Sequence, residues 1–346
     1  WVGGMGVLVF IMAVMEKTPE RSVNILRAEM PGHNVDKLTP RASGTAKILY
    51  YIYLALTVLE ALLLLCGGMP LFDSIVHALG TAGTGGFAIR NDSFASYSAY
   101  TQTVTTVFMA LFGVNFSIYF FLLRRKFDLA WKNTELRWYV SIILGSTLLI
   151  TCNIMKLYGG DFGFSLHHAA FAVSSVITTT GFGTENFDLW PEFSRVILVL
   201  LMIVGASAGS TGGGIKTTTF FVLLSGIYSA ATNHSERAFH NAIPKDAFRK
   251  ASVISMLAVF LVMTASYLML IFDPQLSLRD VLFEMISAFS TSGLSTGITP
   301  QLSAQSRILS IIMMYIGRLG PLTVASLWYF TIGERVRYPE GTIAIG

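Results

Sequence analysis

Apolar runs near 48–66, 102–123, 138–158, 193–229 (interrupted), 250–272 and 304–332, with a partial one at 1–15, largely decide what this chain can fold into. A helix needs roughly 20 apolar residues to cross a hydrocarbon core ~30 Å thick. In lipid every backbone N–H and C=O must be satisfied internally, which leaves only helices and closed barrels. The runs far exceed the roughly ten-residue alternating segments of a barrel. The expected fold class is therefore all-α, a polytopic membrane protein. Composition agrees: 53% of the 346 residues are hydrophobic and 13% charged, about half the charge of a soluble domain.

Trp1 lies inside an apolar segment with no basic n-region or cleavage site before it, so the start does not read as a signal peptide. The expectation is that the chain is a fragment lacking an upstream part. Cys66 and Cys152 are isolated and are expected to be buried apolar thiols.

The charges sort by loop. Lys17, Arg21, Arg27, Lys37, Arg41 and Lys47 crowd one connection, and Arg124, Arg125, Lys126, Lys132 and Arg137 another. Arg237, Lys245, Arg249 and Lys250 form a third cluster, and Arg335 and Arg337 end the chain. The intervening loops carry mainly Asp73, Asp92, Asp161, Glu185, Asp188, Glu192, Asp273, Asp280 and Glu284. The positive-inside rule makes the basic loops cytoplasmic. Their confinement to membrane ends argues against a nucleic-acid surface.

A repeat of roughly 100 residues organises the chain. Each unit reads long apolar helix, short amphipathic segment, Thr/Ser-Gly motif, polar turn, long apolar helix, basic loop. The short segments, 71–82, 166–177 and 278–289, are too short to span and read as re-entrant helices. Leu166, His167 and His168 are expected to open the second. Asp73 and Asp280 suit the positive dipole end of the other two. The motifs are Gly83-Thr84-Gly85-Gly86-Phe87, Thr178-Thr179-Thr180-Gly181-Phe182 and Ser290-Thr291-Ser292-Gly293-Leu294, all on the outer side. Three complete units follow the remnant at 1–15. Because four pore loops close a ring more readily than three, that remnant is expected to end a first unit. The expected boundaries are 1–44 (end of the first repeat and connector), 45–137, 138–247 and 248–346.

A dehydrated monovalent cation needs its lost water replaced by several oxygens at once, which backbone carbonyls and threonine hydroxyls supply without net charge. Glycine frees φ and lets backbones approach closely. The expected filter residues are Thr84, Gly85, Gly86, Thr179, Thr180, Gly181, Thr291, Ser292 and Gly293. The competing reading, small residues that merely permit close helix packing, is weakened by three motifs in register.

The run 193–229 is broken by Gly205-Ala206-Ser207-Ala208-Gly209-Ser210-Thr211-Gly212-Gly213-Gly214. Unwound backbone at membrane depth is tolerated only beside water or protein, so this stretch reads as a flexible gating loop beneath the filter. Its expected working residues are Gly205, Gly209, Gly212, Gly213, Gly214 and Lys216. A phosphate-binding loop is excluded, because Ile215 separates the last glycine from Lys216 and no strand precedes. Arg318, in Tyr315-Ile316-Gly317-Arg318-Leu319-Gly320-Pro321, falls mid-helix in the last run, and a buried intramembrane arginine is functional by default. It is expected to hold the carbonyls of the 205–214 loop. Glu60 is assigned no role, snorkelling outward or bonded to a neighbour, and Lys156 is expected to snorkel. The six histidines show no metal-ligand spacing, and no nucleophile–base pair emerges; the chain does not read as an enzyme.

Together these residues resemble the Trk/Ktr/HKT superfamily of potassium transporters, specifically its bacterial TrkH-type membrane subunits, over essentially the whole chain. Trp1-Val2-Gly3-Gly4-Met5-Gly6 and Arg27-Ala28-Glu29-Met30-Pro31-Gly32 look like the end of the family's first repeat and its connector. Thr81 to Phe87, Gly209 to Lys216 and Gly317 to Pro321 look like its second filter loop, third-repeat gating loop and fourth-repeat arginine motif. The resemblance implies a pseudo-fourfold, channel-like potassium pore in the bacterial cytoplasmic (inner) membrane, potassium as substrate and no cofactor in the chain. It also implies a homodimer, and a cytosolic nucleotide-binding RCK subunit (TrkA or KtrA type) on the basic face. The first repeat's filter loop, whose Gly-or-Ser choice bears on potassium against sodium, is not in this sequence; Gly86, Gly181 and Gly293 favour potassium. Alternatives are a sodium-permeable or coupled relative, the pore subunit of an ATP-driven potassium pump, and a non-conducting scaffold.

Overall fold

A computed structural model describes residues 1–5, 42–232, 237–238, 241–242 and 245–320. The rest of the run at 1–15, the motifs around Gly6 and Arg27–Gly32, and the cations Lys17, Arg21, Arg27, Lys37, Arg41, Arg335 and Arg337 lie outside the described residues, as do Pro321 and the remainder of 304–332.

The elements are α1 (Val2–Met5), α2 (Ala42–Cys66), α3 (Leu71–Ala82), α4 (Ala99–Phe112), α5 (Phe116–Leu123), α6 (Phe127–Trp131), α7 (Thr134–Ile154), α8 (Phe162–Ile177), α9 (Glu192–Val204) and α10 (Thr217–Thr232). Then follow a two-residue antiparallel pairing of Arg237–Ala238 with Asn241–Ala242, α11 (Lys245–Phe272), α12 (Leu278–Ser290) and α13 (Ala304–Leu319). Among the described residues, Gly44–Cys66, Thr134–Ile154 and Ala247–Phe272 are helices long and apolar enough to cross a membrane. One face of each is bare of protein: Leu144, Leu148 and Leu149 on α7, and Met256, Val259, Phe260 and Met263 on α11, are exposed. Lipid solvates such a surface, which in water would mark an interaction site.

Two of the three short helices start where a side chain caps them, while the first follows Pro70 without one. Asp161 Oδ1 accepts from Phe164 N at 3.0 Å and Ser277 Oγ from Asp280 N at 3.1 Å, satisfying N–H groups the helix leaves free. Asp161 moves the start of the second re-entrant helix to Phe162, so His167 and His168 lie in its second turn rather than opening it. Three further expectations are corrected. The run 102–123 is not one helix: α4 and α5 meet at 93° across Gly113–Asn115, because Asn115 Oδ1 caps Ser117 N at 3.0 Å and starts a new helix. Cys66 and Cys152 are exposed, on the apolar outer faces of α2 and α7. Arg318 stands in the last turn of α13, not mid-helix, and Gly320 follows at φ +87°.

Each short helix nests between its long neighbours. α3 packs on α2 and α4, α8 on α7 and α9, and α12 on α11 and α13. The units join side by side through α4 with α8 and α9 with α12. Four apolar clusters fill the seams. In the first, Tyr53 stacks on Trp1 at 4.8 Å and meets Phe112 and Phe116 edge-on at 5.8 and 5.9 Å. This pins the chain start and the α4–α5 bend to α2.

Candidate functional site

The three Gly motifs leave their helices along one backbone path. φ is +50° at Thr84 and +66° at Gly86, +56° at Thr179 and +88° at Gly181, and +58° at Thr291 and +77° at Gly293. A left-handed β-branched residue costs ~1–3 kcal/mol and persists only where its surroundings impose it. Here it recurs three times at one register. The N–H groups explain how it is held. Thr84 N donates to Thr81 O and Gly85 N to Gly80 O, at 3.0 and 2.8 Å. Thr179 N donates to Val176 O and Thr180 N to Ser175 O, and Thr291 N to Ala288 O and Ser292 N to Ser287 O. Each loop thus turns its donors back onto its own short helix. Alternating hand gathers successive N–H groups on one face, leaving the carbonyls toward the other.

The loops also abut. A Cβ on Gly86 would lie 1.9 Å from Thr180 O, and one on Gly181 2.1 Å from Ser292 O. Among the described residues nothing lies within 4 Å of the equivalent point on Gly293. All nine expected filter residues therefore belong to one continuous arrangement, with the loops side by side in chain order. Past the loops, Phe94 N donates to Gly183 O at 2.9 Å and Gly183 N to Ser93 Oγ at 3.1 Å, clasping two post-loop turns together. Beside them the Tyr97 hydroxyl, part-buried and donating to Asp73 Oδ2 at 2.8 Å, has its pKa pushed up to about 12, first by desolvation and then by that bond.

The break at 205–214 lies against all three loops. Thr84 Oγ1 donates to Thr211 O at 2.9 Å, and Gly213 N donates to Thr179 Oγ1 at 2.7 Å. A Cβ on Gly213 would fall 2.2 Å from Thr291 Oγ1 and 2.5 Å from Ser290 O, and one on Gly212 2.8 Å from Thr178 O. So each left-handed threonine touches the break, and the glycines are there because the approach leaves no room for a side chain. Gly205 (φ +68°), Gly209 (φ +72°) and Gly214 (φ +79°) turn the backbone, and Lys216 (φ +87°) donates through its amino group to Gly212 O.

Arg318 Nη1 donates to Thr211 O at 2.9 Å, and Nη2 to Gly3 O and Gly4 O at 2.5 and 3.0 Å. One guanidinium thus ties the break to the chain start; its planar fork of donors suits three carbonyls in a way an ammonium does not.

Several participants were missed by the sequence reading. The carbonyls of Thr178 and Ser290 precede the expected filter triplets yet form the floor against Gly212 and Gly213. The α4–α5 bend braces the far side: Ser207 N donates to Gly113 O at 3.1 Å and Phe116 N to Gly209 O at 3.2 Å. Asn115 Nδ2 donates to Glu135 Oε2 at 3.1 Å. A Gly-x-Asn inside an apolar run was the available signal, because asparagine at that depth asks for a partner.

Comparison with known proteins places this geometry in a family. The family model described as "TrkH: Cation transport protein" matches residues 1–330. The Trk system potassium uptake protein TrkH of Salmonella typhimurium is 35% identical over 211 residues, 59% of this chain and 43% of that protein. The Ktr system potassium uptake protein B of Bacillus subtilis is 29% identical over 320 residues, 88% of this chain and 72% of that one. The crystal structure of the potassium transporter TrkH from Vibrio parahaemolyticus matches the fold with a TM-score of 0.79 at 24% identity, over 95% of this chain and 70% of that chain. The chain thus spans less than half the length of the TrkH relative it matches. Its helices, its repeated loops and the family match make it a multi-pass membrane protein of the TrkH cation transport family.

Proposed function

We propose that the chain carries potassium uptake across the cytoplasmic membrane of a bacterium through a channel-like pore. The three loops act as filter walls, with their carbonyls replacing the ion's water. The break at 205–214 is the gate below them, latched by Arg318. What carries this reading is the shared path of the loops: in all three, a left-handed threonine and glycine flank a residue whose N–H is donated back to the short helix. With those N–H groups turned away, the loop carbonyls are the groups a cation would meet. The relatives' names, potassium uptake proteins of the Trk and Ktr systems, support the choice of ion. The chain itself contributes no chemistry beyond passage, and the driving force is the membrane potential, ~2.3 kcal/mol per charge per 100 mV. A homodimer and an RCK-type nucleotide-binding subunit docked on the basic face complete the proposed assembly.

The test is expression of the full-length gene in a bacterial strain deficient in potassium uptake. Growth at low potassium is expected, with rubidium flux competed by potassium and not by sodium. Membrane expression without rescue refutes transport. Rescue with equal competition by sodium moves the assignment to a sodium-permeable relative.

A further inference from the structure

Thr211 is fully buried on the break, and its carbonyl is met from two directions. Thr84 Oγ1 donates to it from the loop of the second unit and Arg318 Nη1 from α13, each at 2.9 Å. A carbonyl oxygen has two lone pairs, so these two donors fill it. The residue is tied on its other side as well: its hydroxyl and its N–H both donate to Phe112 O, at the end of α4, at 3.2 and 3.5 Å. One residue of the break is thereby joined to a filter loop, to the latch and to the α4–α5 bend.

The Thr84 hydroxyl has one proton and two acceptors in reach, Thr211 O at 2.9 Å and Gly83 O at 2.8 Å. If the break withdraws Thr211 O, the proton still has Gly83 O, a carbonyl of the loop itself. The hydroxyl then turns back on its own backbone without losing a partner. Two satisfied arrangements of one left-handed threonine thus differ in where the break stands, which is the kind of two-state element that coupling requires. Thr179 meets the break in the opposite sense, its Oγ1 accepting from Gly213 N at 2.7 Å.

We propose that the Thr211 carbonyl couples the gate to ion selection. Thr211 is a positioning residue that sets the Thr84 side chain, so freeing the break lowers the discrimination of the second unit's loop as well as opening the path. This rests on the reading of the loops as an ion filter and of the break as their gate. The test is a double-mutant cycle in the full-length protein, read as the potassium-to-sodium flux ratio, which does not depend on how much protein reaches the membrane. Arg318→Ala and Thr84→Val are each expected to lower the ratio at least ~fivefold, the scale of one net hydrogen bond. Because both act through one carbonyl, the double variant is expected to stay within about twofold of the lower single. Thr84→Ser, which keeps the hydroxyl, is expected to hold the parent ratio. A purely steric role would reverse that order, since valine copies the shape of threonine more closely than serine does. Thr84→Ala and Arg318→Gln replace any single variant that fails to reach the membrane. A parent ratio in either single variant overturns the proposal, as do losses that multiply in the double variant or a Thr84→Ser ratio as low as that of Thr84→Val. A parent without potassium preference refutes the filter reading instead.

Discussion

At Gly86 and Gly181 a side chain meets two obstacles at once, a left-handed φ and a neighbouring loop's carbonyl about 2 Å from where its Cβ would stand. At Gly293 only the first obstacle exists among the described residues. The φ penalty for an L-residue is about 1–2 kcal/mol, whereas the overlap can be relieved only by moving the loop. Gly86→Ala and Gly181→Ala are therefore expected to abolish selective potassium flux while the protein still reaches the membrane. Rubidium uptake normalised to membrane content makes the measurement; parent-level uptake in either variant would contradict the side-by-side packing. The glycines were legible in the sequence because nothing else tolerates such backbone. The strained threonines before them were legible as oxygens but not as left-handed residues, since their φ is imposed by bonds to the short helices and to the break.

Arg318 shows what an element can lose. Its three carbonyl partners lie on the break and on α1, so Arg318→Ala frees the break without touching a filter loop. Basal flux is expected to rise, and Arg318→Lys to fall between parent and alanine because a single ammonium cannot span the same fork. Lower flux in Arg318→Ala at normal expression would make the arginine a structural post. A second prediction concerns the joint between α11 and α13. Asp273 Oδ2 accepts from Ser303 N and Ser303 Oγ at 3.1 and 3.0 Å. Hydrogen bonding, foremost from Ser306 and then from Ser303, holds its carboxyl below the usual range. A depressed folded pKa contributes stability above the unfolded value of ~3.9 and loses it as the pH falls through the folded one. Asp273→Asn is therefore expected to melt below the parent at pH 7, the gap closing under acid. A gap that persists with the carboxyl protonated would mean that shape, not charge, makes the joint. The positions of the long helices were readable from run length, and the first short helix matches its expected 71–82 to the residue, whereas the second starts at Phe162 rather than 166. The α4–α5 bend was not readable. Hydropathy does not see a turn whose freed N–H and C=O groups are answered by the break, a segment about ninety residues further on.

At the scale of the whole molecule, charge is what distinguishes the two ends. Arg124, Arg125 and Lys126 follow α5 directly and are exposed, with Lys132 and Arg137 close by in sequence. Arg124 lies over the Phe120 ring at 4.7 Å. This corner connects inward: α5 begins at Asn115, which bonds Glu135, while Phe116 N holds Gly209 O on the break. A partner that pulls on the end of α5 thus has a mechanical route, through Phe116 eight residues back, to the break. Exposed cations contribute through long-range attraction, which salt screens over ~8 Å at physiological strength. Replacing Arg124, Arg125 and Lys126 with glutamine should therefore weaken docking of the proposed RCK-type subunit and flatten its salt dependence. Flux measured without that subunit should stay at the parent level, since none of the three touches the loops or the break. Unchanged affinity and salt slope would move the docking surface to another basic cluster. Lost partner-free flux would instead show that the end of α5 sets the gate by itself.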